Sequence, residues 1–374
     1  MNIGFEAKRV FQNFTGLGNY SRSLIQNLLK FYPETQAHLF APKIVSHPRT
    51  QFFLDHPRVQ TYAPQHPFRA WWRSYGMSAF VKNQKVDVFH GLSHELPFGL
   101  KKHGIPKVVT IHDLIFLRHP HLYQNIDRKI YTAKLKHACQ AADRIIAISA
   151  QTAQDLQELI RVSEKKISII YQTCDDIFWE GKIRDVKAKY RLPSEYLIYV
   201  GSVIPRKNLL LIVQAMDLLP PTLRVPLIVI GSGKTYLQQV KRQIVQRGLE
   251  DLFIFLTETE FADFPSLYAG ATFSLYPSEY EGFGIPILES LVSGTPAIVT
   301  KASSLPEAGG PGALYMDAMT AEDLMEKMRD LIEDRTKRER LVQAGLTHVE
   351  KFRPGRLTAE LYGLYEEVKN SSAV

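Results

Sequence analysis

The chain has 374 residues, 45% of them hydrophobic and 22% charged, which is the size and composition of a globular protein with two domains. Its two cysteines, Cys139 and Cys174, are too few for a disulfide scaffold and lack metal-ligand spacing, which indicates a reducing, cytoplasmic compartment. There is no signal-peptide pattern and no apolar stretch of about 18 residues, so the sequence predicts neither secretion nor a membrane span.

The first half of the chain alternates short apolar runs with longer amphipathic segments. Helices are predicted at NYSRSLIQNLLKFY (19–32) and AQTAQDLQELIRV (150–162). Strands are predicted at LFAP (39–42), VDVFHG (86–91), KVVTIHD (107–113), DRIIAIS (143–149) and KISIIY (166–171). Apolar strands that alternate with helices predict a parallel sheet covered on both faces.

The second half repeats this alternation. Strands are predicted at YLIYVGS (196–202), VPLIVIGSG (225–233), DLFIFL (251–256), ATFSLYPS (271–278) and PAIVT (296–300), and helices at NLLLIVQAMDLL (208–219) and AEDLMEKMRDLIED (321–334). The α/β chain should therefore form two Rossmann-like domains, residues 1–185 and 186–374, joined within the charged segment 182–195. The sequence leaves open whether the last helix, TAELYGLYEEV (358–368), folds back onto the first domain.

Ligands of doubly wound sheets bind beyond the carboxyl ends of the strands, which directs attention to the residues that follow each strand. GSVIPRKN (201–208) places Arg206 and Lys207 after one strand, at the start of a helix. The helix dipole opposes positive charge there, so a bound anion such as a diphosphate would explain the pair. A pair of exposed basic residues is the alternative.

SEYEGFGIPILES (278–290) forms a second strand-to-helix loop. Gly282 and Gly284 allow the backbone to approach a ligand, and the loop amides at the helix N-terminus suit an anion or sugar hydroxyls. Glu281 can accept hydrogen bonds from hydroxyls, and Glu289 could hold a diol such as a ribose. The alternative is a solvated loop acid and a carboxylate that complements the helix dipole.

Two other glycine motifs resemble nucleotide-binding loops only in part. Gly16 and Gly18 precede a helix, but Ser21 stands where a dinucleotide fingerprint requires a third glycine, so a nicotinamide site is rejected. Gly231 opens GSGKT, but Ile228 replaces the first glycine of a P-loop, so an NTPase site is also rejected. Both motifs remain candidates for close backbone approach to a phosphate or another ligand.

His112, at the end of KVVTIHD, lies at a predicted strand terminus and is a candidate site residue, although most lone histidines are structural. PFRAWWRSYGMSAF (67–80) interleaves Trp71 and Trp72 with Arg73, a mixture that suits a membrane interface or a lipid-linked acceptor. An amphipathic helix packed on the core is the alternative. Residues 1–185 carry a net charge of +10 and residues 186–374 carry −2, which favours an anionic partner, such as a membrane surface, for the first half.

Together these motifs resemble glycosyltransferase family 4, whose members are retaining enzymes with the GT-B fold, two Rossmann-like domains facing each other across a cleft. The Glu-x7-Glu pattern of Glu281 and Glu289 carries the resemblance, together with VGSVIPRKNL, VVTIHDL, RIIAISAQTAQDL, LIVIGSG and SSLPEAGG. The resemblance implies transfer of a hexose from a nucleotide sugar to a glycan or lipid-linked saccharide, as in surface polysaccharide or lipopolysaccharide synthesis.

The resemblance also implies roles for individual residues. Arg206 and Lys207 would hold the donor diphosphate and Glu289 the ribose. The sugar would lie against Glu281, His112 and the amides of Gly282, Phe283 and Gly284, and Gly16, Gly18 and Gly231 would lie near the donor. The PRKN form is similar to mannosyltransferase-type members that use GDP-mannose. However, YQTCDD (171–176) and FLTETEF (255–261) depart from the family pattern, which leaves the nucleobase open.

No metal or other cofactor is expected, because side-chain cations would stabilise the leaving diphosphate and no Asp-x-Asp pair has the usual strand-end placement. No nucleic-acid partner is expected either. The enzyme should be cytoplasmic, at most peripheral on a membrane. The alternatives are a UDP-sugar epimerase on the same fold and a non-catalytic protein that binds nucleotide sugars.

Overall fold

The structure of the protein is a computed structural model that describes residues 1–65, 68–181 and 184–371. The chain divides into two units. Unit 1 contains the chain up to Thr173 together with the segment from Phe352 onward, and unit 2 extends from Cys174 to Lys351. Each unit is built around its own parallel sheet, so the predicted α/β class with two Rossmann-like domains is confirmed.

The sheet of unit 1 forms from short runs whose residues are mostly buried. Its strands are β1 (Asn2–Glu6), β2 (Gln36–Phe40), β3 (Val59–Tyr62), β4 (Val88–Gly91), β5 (Lys107–Ile111), β6 (Arg144–Ala147) and β7 (Ile167–Ile169). They lie in the order β3-β2-β1-β4-β5-β6-β7, all parallel. The order reverses direction between β1 and β4, where Ile3 pairs with Val88 and Glu6 with Gly91.

Helices cover both faces of this sheet and bury its apolar side chains. They are α1 (Lys8–Gln12), α2 (Gly16–Phe31), α3 (Gln51–Asp55), α4 (Arg69–Trp71), α5 (Met77–Asn83), α6 (Ile115–Arg118), α7 (Asn125–Ala141) and α8 (Ala150–Ile160). A π-helical turn, Trp72–Gly76, joins α4 to α5. Helix α2 begins at Gly16, three residues earlier than predicted, so Gly16 and Gly18 lie in its first turn.

Unit 2 repeats the arrangement with six parallel strands among its described residues. They are β8 (Leu197–Val200), β9 (Leu227–Ile230), β10 (Phe253–Leu256), β11 (Ser274–Tyr276), β12 (Ala297–Thr300) and β13 (Ala313–Met316), in the order β10-β9-β8-β11-β12-β13. The helices are α9 (Asp176–Glu180), α10 (Val186–Tyr190), α11 (Leu209–Leu218), α12 (Thr235–Gln246), α13 (Phe264–Ala269), α14 (Ile285–Val292), α15 (Leu305–Gly309), α16 (Ala321–Glu333) and α17 (Arg335–Val349). The strand order reverses between β8 and β11.

The last helix, α18 (Pro354–Ser371), belongs to unit 1. It packs against α2, where Tyr362 stacks on Tyr32 with ring centroids 3.7 Å apart. Tyr365 is fully buried, and its hydroxyl lies 2.6 Å from Nδ1 of His90. The last helix therefore folds back onto the first domain, because an apolar face of α18 is buried against unit 1.

The division between the units lies at residues 173 and 174, which differs from the predicted boundary at residues 185 and 186. The charged segment is not a solvated linker, because several of its residues bind the buried carboxylate of Asp263. Arg184 lies 3.1 Å from this carboxylate, Lys189 lies 2.6 Å from it, and the Tyr190 hydroxyl donates to it at 2.8 Å. These contacts attach the segment to unit 2.

Each strand predicted from the apolar runs is present. The predicted set did not include β3 and β13. β3 lies at the edge of its sheet and keeps partly exposed, polar residues, and β13 has only four residues. A strand of mixed polarity such as β3 does not give the apolar signal on which the prediction depends, whereas β13 is an apolar run, ALYM, that the prediction overlooked.

Candidate active site

The candidate site lies at the carboxyl ends of β8 and β11, the neighbouring strands between which the order of the unit 2 sheet reverses. Ligands of doubly wound sheets bind at this kind of position. Arg206 and Lys207 lie in a single 3₁₀ turn, Pro205–Lys207, that follows β8. Glu281 follows β11 in the loop before α14. The structure thus brings together the predicted basic pair and the first predicted glutamate.

The Glu281 carboxylate lies between the two cations. One of its oxygens, Oε1, is 2.8 Å from Nη1 of Arg206 and 3.7 Å from Nζ of Lys207. The same oxygen accepts hydrogen bonds from the Ser278 hydroxyl at 2.9 Å and the Tyr276 hydroxyl at 3.1 Å. The Tyr276 hydroxyl in turn accepts a hydrogen bond from Lys207 Nζ at 2.7 Å. One carboxylate therefore holds both cations in position.

Burial and charge act against each other in this cluster. Burial raises the pKa of Glu281, but the charges of Lys207 and Arg206 and the hydrogen bonds it accepts outweigh burial, so the pKa lies below its ordinary value. Burial lowers the pKa of Lys207, and the nearby charge of Glu281 opposes that change only in part. With Arg206, the three ionised groups have a net charge of +1, which suits an anionic ligand.

The loop between Glu281 and α14 is held by serines that follow β12. The Glu281 backbone N–H donates to the Ser303 hydroxyl at 2.9 Å, and the Ser304 hydroxyl donates to the carbonyls of Glu281 and Phe283 at 2.8 and 3.1 Å. Gly284 has a φ of +117°, a conformation that L side chains rarely adopt, immediately before the first turn of α14. The predicted ligand role of the Gly282, Phe283 and Gly284 amides stays a prediction.

Glu289 lies on α14 with only 9% of its surface exposed. Its Oε2 accepts a hydrogen bond from the buried Tyr268 hydroxyl at 3.3 Å. Burial raises the pKa of Glu289 to about 8, against the lowering effect of the Tyr268 hydrogen bond. A carboxyl group that burial keeps protonated does not complement the helix dipole through its charge, and the ribose contact stays a prediction. Glu281 and Glu289 have pKa values on opposite sides of the ordinary value.

Two of the three remaining predicted glycines, Gly231 and Gly18, have steric roles within their own units. A Cβ at Gly231 would lie 1.9 Å from the Gly201 carbonyl oxygen, so a side chain is excluded by the packing of the β8 and β9 ends. A Cβ at Gly18 would lie 1.7 Å from the Asn13 carbonyl oxygen, and the Gly18 N–H already donates to the Thr15 carbonyl at 2.9 Å. A Cβ at Gly16 would meet no atom within 4 Å. The contacts of these glycines with the nucleotide-sugar donor stay a prediction.

His112 is buried in unit 1, and both of its ring nitrogens are engaged. Nε2 lies 2.9 Å from the Leu92 carbonyl oxygen, to which it donates, and Nδ1 accepts from the Gln172 amide at 2.9 Å. Burial lowers the pKa of His112 to about 3, so the ring is neutral. This arrangement is typical of a structural histidine, and a sugar contact through a ring nitrogen would require one of the two bonds to break.

The aromatic and basic segment after residue 67 divides between surface and interior. Trp71 is 56% exposed, as a membrane or acceptor contact requires, but Trp72 is buried. Arg73 is also largely buried, with Nε 2.7 Å from Glu6 and Nη1 2.6 Å from Glu95. The prediction that Trp72 and Arg73 contact a membrane or acceptor is therefore wrong, because the core and two carboxylates already take up these side chains.

Two family models match the chain in sequence: Glycosyltransferase Family 4 over residues 14–176 and Glycosyl transferases group 1 over residues 182–348. The protein belongs to the family 4 glycosyltransferases. The predicted family and GT-B fold are thereby confirmed. The chain is a transferase enzyme, so it is neither the epimerase nor the non-catalytic binding protein that stood as alternatives.

Several known proteins are similar to this glycosyltransferase. O-antigen chain mannosyltransferase B of Escherichia coli is 28% identical over 98% of this chain and 100% of its own length. Sucrose-phosphate synthase from Thermosynechococcus elongatus has a TM-score of 0.81 at 18% identity, covering 99% of this chain and 100% of that one. Anabaena Alr3699/HepE in complex with UDP and glucose has a TM-score of 0.74 at 17% identity, with 98% and 99% coverage.

Four further residues of the glycosyltransferase at this site were not predicted from the sequence. Tyr276 and Ser278 bind the Glu281 carboxylate, and Ser303 and Ser304 hold the loop. The sequence held a signal for each, because Tyr276 lies in a predicted strand, Ser278 opens SEYEGFGIPILES, and Ser303 and Ser304 begin SSLPEAGG.

Across residues 1–65, 68–181 and 184–371, no group of three or more His, Cys, Asp or Glu side chains is placed to hold a metal ion. In the same part of the chain, none of the helices is both long enough and apolar enough to cross a membrane. The expectation of a metal-free reaction stays a prediction.

Proposed function

We propose that this glycosyltransferase moves a hexose from a nucleotide sugar to a saccharide acceptor with retention of the anomeric configuration. Mannose from GDP-mannose is the donor that we favour. The proposal is carried by one observation: Arg206, Lys207 and Glu281 converge at the point of strand-order reversal in unit 2 with an excess positive charge. A diphosphate is the part of a nucleotide sugar that such a cluster would bind.

The chemistry follows from what the cations can stabilise. When the bond between the sugar's anomeric carbon and the diphosphate oxygen breaks, its electron pair passes to the diphosphate. Arg206 and Lys207 would offset that charge, and their positions are fixed before the reaction because Glu281, Ser278 and Tyr276 hold them. Groups that are already oriented stabilise developing charge without the cost of reorganisation.

Retention follows if the acceptor hydroxyl attacks the face from which the diphosphate leaves. The acceptor oxygen bonds to the anomeric carbon, and its proton passes to the leaving diphosphate oxygen. No protein nucleophile is required in this scheme. Glu281 is engaged by two cations and two hydroxyls, which suits a positioning role better than attack on the sugar. No metal is required either, because the cations carry the positive charge.

Mannose is favoured because of the PRKN form at residues 205–208 and the likeness to O-antigen chain mannosyltransferase B. The acceptor would then be a growing surface glycan such as an O-antigen or other lipopolysaccharide chain. HepE is described with UDP and glucose, so the shared fold is compatible with a different base and sugar. The donor therefore needs a direct test.

A donor screen provides that test. Thermal unfolding of the purified protein is measured with GDP-mannose, UDP-glucose and ADP-glucose, because a ligand that binds only the folded state raises the melting temperature. We expect the largest shift with GDP-mannose, and NMR of the product should show the donor's anomeric configuration. A larger shift with another donor would replace mannose, and an inverted product would rule out the retaining mechanism.

Membrane association is proposed for the aromatic patch of unit 1, which we define as Phe68, Trp71, Tyr75 and Phe98. Tyr75 stacks on Phe98 with ring centroids 4.9 Å apart and lies 6.3 Å from Trp71. All four rings are exposed, and Arg69, Lys101 and Lys102 are exposed in the same stretches of chain. Exposed aromatic rings beside basic residues suit the interface of an anionic membrane at its cytoplasmic face.

Flotation with liposomes that contain phosphatidylglycerol tests the patch. The double variant Trp71→Ala/Tyr75→Ala should lose most of the bound fraction, whereas Phe80→Ala, an exposed aromatic control on α5, should keep it. If the wild-type protein does not float at low salt, the membrane proposal is wrong.

A further inference from the structure

Unit 1 also has a point of strand-order reversal, between β1 and β4, and it carries charges that the proposed function does not use. Glu6 pairs with Gly91, so the chain leaves the same end of both strands. Beyond β1 come Lys8 and Arg9, and beyond β4 come Ser93 and His94. The register of the two strands therefore places these four residues at one edge of the sheet.

The two cations beyond β1 are not neutralised. Within the described chain, neither Lys8 nor Arg9 has a carboxylate at ion-pair distance, because Glu6 and Glu95 are bound to Arg73 and Glu95 also faces Lys134. The Nε atom of Arg9 is buried and has no hydrogen-bond partner there. Burying a guanidinium nitrogen without a hydrogen-bond partner costs free energy of folding. The position of Arg9 is therefore not that of an ordinary solvated surface charge.

The segment beyond β4 offers hydrogen-bond donors at the same edge. The Ser93 hydroxyl is buried and, among the described residues, has no partner. His94 has a φ of +61°, which is uncommon for a histidine, and its Nε2 accepts a hydrogen bond from the His112 backbone N–H at 3.2 Å. A neutral ring that accepts at Nε2 carries its proton at Nδ1, so His94 is fixed as a donor through Nδ1.

We propose that Lys8, Arg9 and His94 form a second oxyanion subsite, on unit 1, that binds a phosphate or diphosphate group. Two cations and an oriented N–H donor are the groups that a phosphate requires. Which molecule carries the phosphate group depends on the proposed function, because a nucleotide sugar and a diphosphate-linked acceptor both contain a diphosphate. The existence of the subsite does not depend on which of them supplies it.

Titration calorimetry with inorganic pyrophosphate tests the subsite on the full chain. In a Lys207→Ala background, which weakens the site on unit 2, we expect pyrophosphate binding to persist. Adding Arg9→Gln should weaken the remaining binding at least tenfold, and Arg9→Lys should restore part of it. Lys82→Gln, an exposed control on α5, should change nothing. Pyrophosphate binding that Arg9→Gln leaves within twofold overturns the proposal, provided that thermal unfolding shows a folded variant.

GDP and farnesyl diphosphate separate the two sources of the phosphate. Weaker GDP binding by the Arg9→Gln variant assigns the subsite to the donor, and weaker farnesyl diphosphate binding assigns it to a lipid-linked acceptor. If pyrophosphate alone responds, the site binds an adventitious ion only and the proposal is wrong. Loss of GDP binding in the Lys207→Ala variant is a different result. It reports on the proposed function of unit 2 and does not bear on this subsite.

Discussion

The two units place opposite charge arrangements at equivalent positions of similar sheets. In unit 2, one carboxylate, Glu281, lies between two cations, Arg206 and Lys207. In unit 1, one cation, Arg73, lies between two carboxylates, Glu6 and Glu95. The first cluster keeps a net positive charge, whereas the second is balanced because Lys134 also faces Glu95. The fold thus supplies the position, whereas the side chains decide which charges there pair with each other and which remain for a ligand.

The difference separates an ion pair that we propose to serve binding from one that serves stability. Glu6 is almost completely buried, and Arg73 reaches it with two nitrogens, Nε at 2.7 Å and Nη2 at 3.0 Å. This bidentate pair satisfies both partners. In unit 2, Arg206 and Lys207 instead both face one oxygen of Glu281, Oε1.

The largest effect is expected from removing a cation of unit 2. Lys207→Ala should lower kcat about 10³-fold, because a single preorganised group that stabilises developing negative charge typically contributes that much. Lys241→Ala, which removes an exposed lysine of α12, is the matched control and should keep normal turnover. Steady-state kinetics with the donor found in the screen measures both variants. A folded Lys207→Ala variant with near-normal turnover would count against the role of this cluster.

Stability should respond in the opposite order. Arg73→Gln should destabilise the protein by about 3–5 kcal/mol, because it leaves the buried Glu6 without its main partner. Arg206→Gln should cost about 1–2 kcal/mol, since Lys207 still faces Glu281. Guanidinium unfolding followed by far-UV circular dichroism measures both variants, because the helices and strands of both units contribute to the signal. Equal losses in the two variants would remove the distinction between the clusters.

The two glutamates of unit 2 should respond to pH in opposite directions. The folded-state pKa of Glu289 is raised from 4.5 to about 8, so its contribution to stability is present below pH 4.5 and is lost as the pH rises towards 8. Within that window the loss approaches about 1.4 kcal/mol per pH unit. The lowered pKa of Glu281 gives a contribution that is present above its ordinary value and is lost in acid.

Glu289→Gln tests this contrast, because glutamine cannot ionise. The variant should match the wild-type melting temperature near pH 4.5 and exceed it near pH 8, and Glu258→Gln, an exposed control, should follow the wild type throughout. Melting curves between pH 4 and 9 provide the measurement. Parallel profiles for Glu289→Gln and the wild type would show that Glu289 is ionised in the folded protein across this range.

The sequence could predict that Arg206, Lys207 and Glu281 converge in unit 2, but it could not predict how their charges pair. Arg206, Lys207 and Glu281 follow strands that the apolar runs predicted, and the carboxyl ends of parallel strands meet at one edge. Whether a carboxylate faces a ligand or a neighbouring cation depends on side-chain geometry that spacing does not encode.

The same limit explains the errors in unit 1. Trp71, Trp72 and Arg73 have the composition of a membrane segment, but a π-helical turn begins at Trp72 and breaks the regular helical period. Sequence periodicity assumes 3.6 residues per turn, so it could not show which of the three side chains turn inwards. The bonds that occupy His112 come from Leu92 and Gln172, which are twenty and sixty residues away in the chain.

The smallest predicted effect concerns the hydroxyl that connects the two charges of unit 2. Tyr276 is buried, accepts a hydrogen bond from Lys207 at 2.7 Å and donates one to Glu281 at 3.1 Å. Tyr276→Phe removes both bonds, each of which contributes about 1 kcal/mol. We expect kcat to fall about tenfold with little change in KM, since the orientation of Lys207 matters most as charge develops on the leaving group.

Tyr315→Phe is the matched control for this prediction. Its hydroxyl donates to the Gly310 carbonyl at 2.7 Å, also in unit 2, but it makes no contact with the charge cluster. The control should lose a similar amount of stability and keep normal kcat. If the two variants have the same kcat, Tyr276 supports the fold and does not position Lys207, and the charge cluster of unit 2 would then depend on Glu281 and Ser278 alone.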